Sequence, residues 1–106
     1  MTTHVVFRPE AIIDLQTIAL FIAQQNVPRA VKTVERLRRR CRILESHPLA
    51  GRLRPEVAEG LRSLVERPYV VFYRITGDDA EVVAIVHAMR DLPAALHARL
   101  MSEQKS

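Results

Sequence analysis

The chain has 106 residues, 48% of them hydrophobic, and carries 16 Lys plus Arg against 12 Asp plus Glu, a formal charge of +4. That length suits a single domain, and that apolar fraction is enough for a modest core, which argues against intrinsic disorder. No apolar run is long enough to span a bilayer, no basic-then-apolar leader opens the chain, and the lone Cys41 excludes an internal disulfide or a four-cysteine zinc site, so the expected location is the cytoplasm.

All but two of the cations are arginine, Lys32 and Lys105 being the exceptions. Arginine binds carboxylate and phosphate in bidentate fashion and tolerates partial burial. An acidic protein or a nucleic acid would suit such a surface, and net charge does not choose between them.

In chain order, Val5, Val6 and Phe7 form a short opening strand. Pro9 suits the first turn of a helix, and Glu10 and Asp14 favour its start. Ile12, Leu15, Ala19 and Ile22 recur at helical spacing, with Ile18 and Phe21 widening the stripe, and the helix should run to about Gln25. Asn26 can cap, and Val27-Pro28 breaks the pattern. A second helix is expected over 28–47, its stripe made by Ala30, Val34, Leu37, Cys41 and Leu44. The short connection makes the two an antiparallel hairpin.

Pro48 ends that helix, and residues 48–56 read as a loop punctuated by Gly51 and Pro55, with Gly60 marking the next entry. Three strands are expected at 61–66, 69–76 and 81–88, the last two joined by a Gly77-Asp78-Asp79 turn with hairpin chemistry. In the middle strand Tyr69, Val71, Tyr73 and Ile75 share one face, and Val70, Phe72 and Arg74 share the other. A short helix over 93–100 follows. The fold class is α+β: an N-terminal strand, an antiparallel helix hairpin, a three-stranded antiparallel meander and a short C-terminal helix. The hairpin covers one face of the sheet and leaves the other partly open, where Arg74 would emerge.

Several chemistries lack their parts. Gly51, Gly60 and Gly77 are isolated, so no phosphate loop exists. His4, His47, His87 and His97 have no metal-ligand spacing, and Cys41 lies on an apolar stripe, as a buried structural cysteine does. No serine stands in a nucleophile elbow. Neither a metal nor a cofactor is expected. The run from Arg36 to Arg42 reads either as a partner-binding ridge or as a solvated helix face with a Glu35–Arg39 pair. Arg52, Arg54, Arg62, Arg67, Arg74 and Arg90 all come from the sheet or the loop feeding it, and neighbouring strands could bring several together, with His87 beside Arg90. Glu56 and Glu66 are the nearby carboxylates with a claim to be a general base. In the plainer alternative, Arg62 and Arg67 pair with Glu59, Glu66 or Glu81 at the surface.

These residues in this order resemble the ParE branch of the RelE/ParE superfamily of bacterial toxins, from type II toxin–antitoxin systems. The resemblance spans nearly the whole chain. It is carried by Pro9-Glu10-Ala11, Asp14-Leu15, Ile18 and Ile22-Ala23, then Leu44 and Pro48, Gly51-Arg52, Arg54-Pro55-Glu56 and Gly60-Leu61-Arg62. It continues through Arg67-Pro68-Tyr69-Val70-Val71-Phe72-Tyr73-Arg74-Ile75 and ends at His87-Ala88-Met89-Arg90-Asp91.

The resemblance implies a small plasmid-stabilising toxin, held in a hetero-oligomer by a cognate antitoxin and not bound to membrane. ParE-like members poison DNA gyrase, and RelE-like members cut mRNA on the ribosome. A ribonuclease must activate a 2′-OH, stabilise a phosphorane and protonate a leaving oxygen. Here Arg62, Arg67, His87 and Arg90 would have to do so. The tail tyrosine typical of ribonucleases is absent, and Arg52 and Arg54 stand where lysines are frequent. Gyrase inhibition, with Arg52, Arg54, Arg62, Arg67, Arg74 and Arg90 as the contact set, therefore ranks first. An mRNA endoribonuclease and an inactive toxin-fold binding module are the alternatives.

Overall fold

The computed structural model describes residues 2–89. β1 (His4–Phe7) leads into α1 (Pro9–Ala23), followed by α2 (Val27–Arg42) and a 3-10 turn at Ile43–Glu45. Then come β2 (Arg52–Leu53), β3 (Leu61–Glu66), β4 (Tyr69–Thr76) and β5 (Asp79–His87). They form one sheet in the order β1-β5-β4-β3-β2, with β1 parallel to β5 and every other pair antiparallel.

Local chemistry explains the boundaries. Pro9 occupies the first turn of α1, where a missing amide hydrogen costs nothing, and the Arg8 N–H donates to Val82 O at 3.0 Å, so pairing with β5 runs up to the helix start. Asn26 caps α2, its side-chain oxygen accepting from the Arg29 N–H at 3.0 Å. Gly77, at φ 61, supplies the left-handed turn between β4 and β5.

The helices cover one face. Ala11 and Leu15 of α1 and Leu37, Cys41 and Leu44 from α2 and its 3-10 extension pack on Leu64, Tyr69, Val71, Tyr73, Val82 and Ile85. The opposite face holds a smaller cluster, Leu61, Val70, Phe72, Val83 and Ala84, with Val57 and Ala58 of the loop before β3 packed against it. Each of those five is 8% exposed or less, so the face expected to be partly open is closed over Val70 and Phe72. A bulge divides the two. Phe72 pairs with Ala84 and Tyr73 with Val82, leaving Val83 as the extra residue of β5. Val83 and Ala84 therefore share the far face, while Val82 and Ile85 both reach the helices.

Three expectations need adjustment. Residues 52–53 are not loop but an edge strand, because Arg52 and Leu53 pair with Ser63 and Arg62. The α1 stripe runs through Ala11 and Leu15 to Ile18, whereas Ile12 and Phe21 are exposed at 41% and 61%. The final strand begins at Asp79 and ends at His87. The short helix expected at 93–100 lies outside the described residues. Among the described residues no helix is long and apolar enough to cross a membrane.

Candidate functional site

Strand register sorts the arginines by face, because directly opposed residues of an antiparallel pair project to the same side. On the face away from the helices, one row runs Arg52–Ser63–Phe72–Ala84 across β2, β3, β4 and β5. The next runs from Leu61 through Arg74 and Glu81 to Val6. Arg54 joins this second row because its N–H donates to Leu61 O at 2.8 Å. Arg52, Arg54 and Arg74 thus share one surface that spans β2 to β4, with Leu61 of β3 fully buried between Arg54 and Arg74.

Their environments differ. The Arg54 guanidinium lies over the Phe72 ring, 5.8 Å from its centroid, and binds Glu56 Oε2 at 2.6 Å through Nε and Ser63 Oγ at 3.3 Å through Nη1. That hydrogen bond holds the Glu56 carboxyl below the usual glutamate range. Arg54 is therefore fixed in direction, and Glu56 is a bound carboxylate rather than a free base. Arg52 is exposed. Arg74 is half-buried, and its Nε has no hydrogen-bond partner among the described residues. Glu81 beside it is taken by Arg8, at 2.9 Å.

Arg62 belongs to the other face. It pairs with Tyr73, whose ring sits in the core beneath the helices. Its Nη1 donates to Gly51 O at 2.8 Å and Leu49 O at 3.2 Å. The Tyr73 hydroxyl donates to Pro48 O at 2.7 Å and accepts from the Gly51 N–H at 2.8 Å. Arg62 is thus engaged with loop carbonyls and does not converge with Arg52, Arg54 and Arg74.

Arg67 and His87 lie at the opposite end of the sheet. His87 pairs with Tyr69, four residues along β4 from the partner of Arg62, which at strand rise is about 13 Å. Its ring meets Tyr69 edge-on at 5.6 Å, and its Nδ1 accepts from the Met89 N–H at 3.2 Å. Arg67 sits in the β3–β4 turn with an exposed side chain, while its carbonyl accepts from Arg36 Nη2 at 3.1 Å. Arg90 lies outside the described residues. The convergence that the ribonuclease alternative would need is absent among the described residues: Arg62 stands at one end of the sheet, and Arg67 and His87 stand at the other.

The surface pairs are also redistributed. Glu66 binds Arg36 of α2 at 2.9 Å, and Arg40 donates to Val65 O at 3.2 Å. Neither Arg62 nor Arg67 forms an ion pair with a described residue, and Glu35 does not pair with Arg39. Part of the arginine run on α2 is therefore a clamp along the edge of β3. Arg38 turns the other way, over the Phe7 ring at 5.5 Å from its centroid.

A second surface went unread in the sequence. Leu20, Val27 and Val31 are 70%, 61% and 53% exposed around the tip of the helix hairpin. They border an apolar groove of about 440 Å³ that ends at Glu35 and Arg38. The available signal was surplus: α1 has more large apolar residues than one buried stripe can use. Among the described residues no cluster of His, Cys, Asp and Glu could hold a metal.

The profile of the family described as "ParE toxin of type II toxin-antitoxin system, parDE" matches residues 5–92. Among solved structures, the chromosomal ParDE TA system from P. aeruginosa is similar, with a TM-score of 0.72 at 24% identity, over 81% of this chain and 96% of that one. The RelBE2 toxin-antitoxin complex from Mycobacterium tuberculosis is similar with a TM-score of 0.61 at 23% identity, over 82% of this chain and 92% of that one. At these identities the likeness is one of fold. No curated protein matches the chain.

Proposed function

This chain belongs to the ParE toxin family of type II toxin–antitoxin systems, and we propose that it is a toxin that inhibits DNA gyrase by binding, with no bond-making of its own. One observation carries the choice over RNA cleavage: the described groups that would handle a scissile phosphate, Arg62, Arg67 and His87, are divided between two ends of the sheet. Arg62 is committed to loop carbonyls, and His87 lies about 13 Å away along the strands. Proton transfer demands donors and acceptors within hydrogen-bond reach of the same substrate atoms. Binding demands only a shaped, charged surface, which Arg52, Arg54 and Arg74 supply on the face away from the helices.

The cognate antitoxin takes the other side. An amphipathic segment with apolar and acidic residues suits the hairpin groove, where exposed Leu20 and Val31 lie near Arg38. The same segment could add a strand at β1, an outer strand of the sheet. The far edge is less available, since Arg40 and Arg36 already hold the Val65 and Arg67 carbonyls.

The test is to purify the toxin from its antitoxin complex and assay gyrase supercoiling and trapped DNA cleavage beside ribosome-dependent mRNA cleavage. Inhibited supercoiling with intact mRNA is expected. Cut mRNA with untouched gyrase would establish the ribonuclease instead, and neither effect would leave a binding module.

A further inference from the structure

The loop that presents Arg52 and Arg54 is fastened from beneath by side chains on the opposite face of the sheet. Tyr73 is fully buried in β4, yet its hydroxyl makes two hydrogen bonds to the loop, at Pro48 O and the Gly51 N–H. Arg62, its register partner on β3, grips the Gly51 and Leu49 carbonyls. Both polar groups of the Gly51 backbone are therefore held by side chains, one from each strand. The approach is so close that a β-carbon on Gly51 would stand 2.5 Å from Tyr73 Cε1 and 2.6 Å from its hydroxyl oxygen. The next residue is Arg52, where the chain enters the sheet and crosses to the face away from the helices.

We propose that Tyr73 and Arg62 are positioning residues: by locking Gly51 they set the register of β2 and so the direction of Arg52 and the backbone position of Arg54. This rests on the reading of the arginine face as the gyrase-binding surface. β2 has two residues, too few to hold register by its own ladder. Without the lock, the entry to β2 would keep only its pairing with β3, and the exposed Arg52 guanidinium would sample several directions, while Arg54 would keep its contacts with Glu56, Ser63 and Phe72. Ordering Arg52 would then weaken target binding.

The experiment is a double-mutant cycle with Tyr73→Phe, which keeps the core ring and removes the hydroxyl, and the pair Arg52→Ala/Arg54→Ala. Each protein is first shown folded by its urea midpoint, and Gly51 amide exchange is followed by NMR. Tyr73→Phe is expected to speed Gly51 exchange and raise the toxin concentration for half-inhibition of gyrase by roughly tenfold, the scale of one or two neutral hydrogen bonds. Added to the Arg52/Arg54 double variant, it is expected to change inhibition by less than about twofold, because it acts only through those residues. Faster Gly51 exchange with unaltered inhibition would overturn the positioning role while leaving the gyrase surface standing. Full additivity would reduce Tyr73 to a stabilising residue. Should Arg52→Ala/Arg54→Ala itself inhibit gyrase like the parent, the surface assignment fails, and the positioning role with it. Arg62→Lys is the second probe: a single ammonium lacks the guanidinium's fixed fork, so partial loss is expected, again only when Arg52 and Arg54 are present.

Discussion

At the scale of single residues, close approach and burial give the sharpest expectations. Gly51→Ala places a methyl group inside the Tyr73 ring contact, and that ring is rigid and fully buried, so either the loop or β4 must yield. The expected cost is about 1–3 kcal/mol, read from the urea midpoint. Cys41 shows the opposite behaviour. Burial pushes its thiol up to about 12, against a partial lowering by Arg38 and Arg40. The folded protein should therefore resist a thiol-specific reagent at pH 8 and react readily once unfolded in guanidinium. For a raised pKa, the associated stability is complete below the unfolded thiol value and is lost as pH climbs toward about 12, so alkaline unfolding should release a titrating thiol. The role of Cys41 was legible from its place on an apolar stripe. That of Gly51 was not, because nothing local links it to a tyrosine 22 residues away. Only register brings Arg62 and Tyr73 beneath the loop. The arginines were visible as a set, but their division between faces depended on pairings that composition does not encode.

At the scale of elements, strong local signals translated directly. Pro9, the Asn26 cap, the alternation of β4 between Tyr69, Val71, Tyr73 on one face and Val70, Phe72 on the other, and the Gly77 turn each act within a few residues, and each appears where expected. Asn26→Ala removes the one side-chain bond capping α2 at the exposed hairpin tip and should cost about 1 kcal/mol in thermal or urea denaturation. Leu37→Ala, at a fully buried position of the same helix, should cost about 2–5 kcal/mol. The contrast tests whether α2 is held mainly by packing rather than by its own ends. Two features escaped because they depend on partners. β2 has two residues and exists only through its pairing with β3. The apolar surplus of α1 looks like a wide core stripe until the sheet shows how narrow the covered face is; Leu20 and Phe21 stay 70% and 61% exposed.

At the scale of the whole molecule, two surfaces of different chemistry lie on opposite sides of one sheet: an apolar groove on the hairpin and an arginine face beyond it. If the antitoxin occupies the first and gyrase the second, the two activities should come apart by mutation. Leu20→Asp/Val31→Asp alters two exposed side chains, so folding should be spared. Burying each such residue is worth about 1.5–3 kcal/mol, so the double change should weaken antitoxin binding by at least about 100-fold in calorimetry. Supercoiling inhibition by that variant should match the parent. Arg74→Glu should do the reverse, abolishing inhibition through charge reversal within the arginine face while the antitoxin still binds. Salt offers an independent reading of the same division. Contacts between exposed charges are screened over about 8 Å at physiological ionic strength, whereas apolar burial is not. Raising salt should therefore weaken gyrase inhibition steeply and antitoxin affinity only slightly. If Arg74→Glu instead released the antitoxin and left gyrase inhibited, the assignment of partners to the two faces would be inverted.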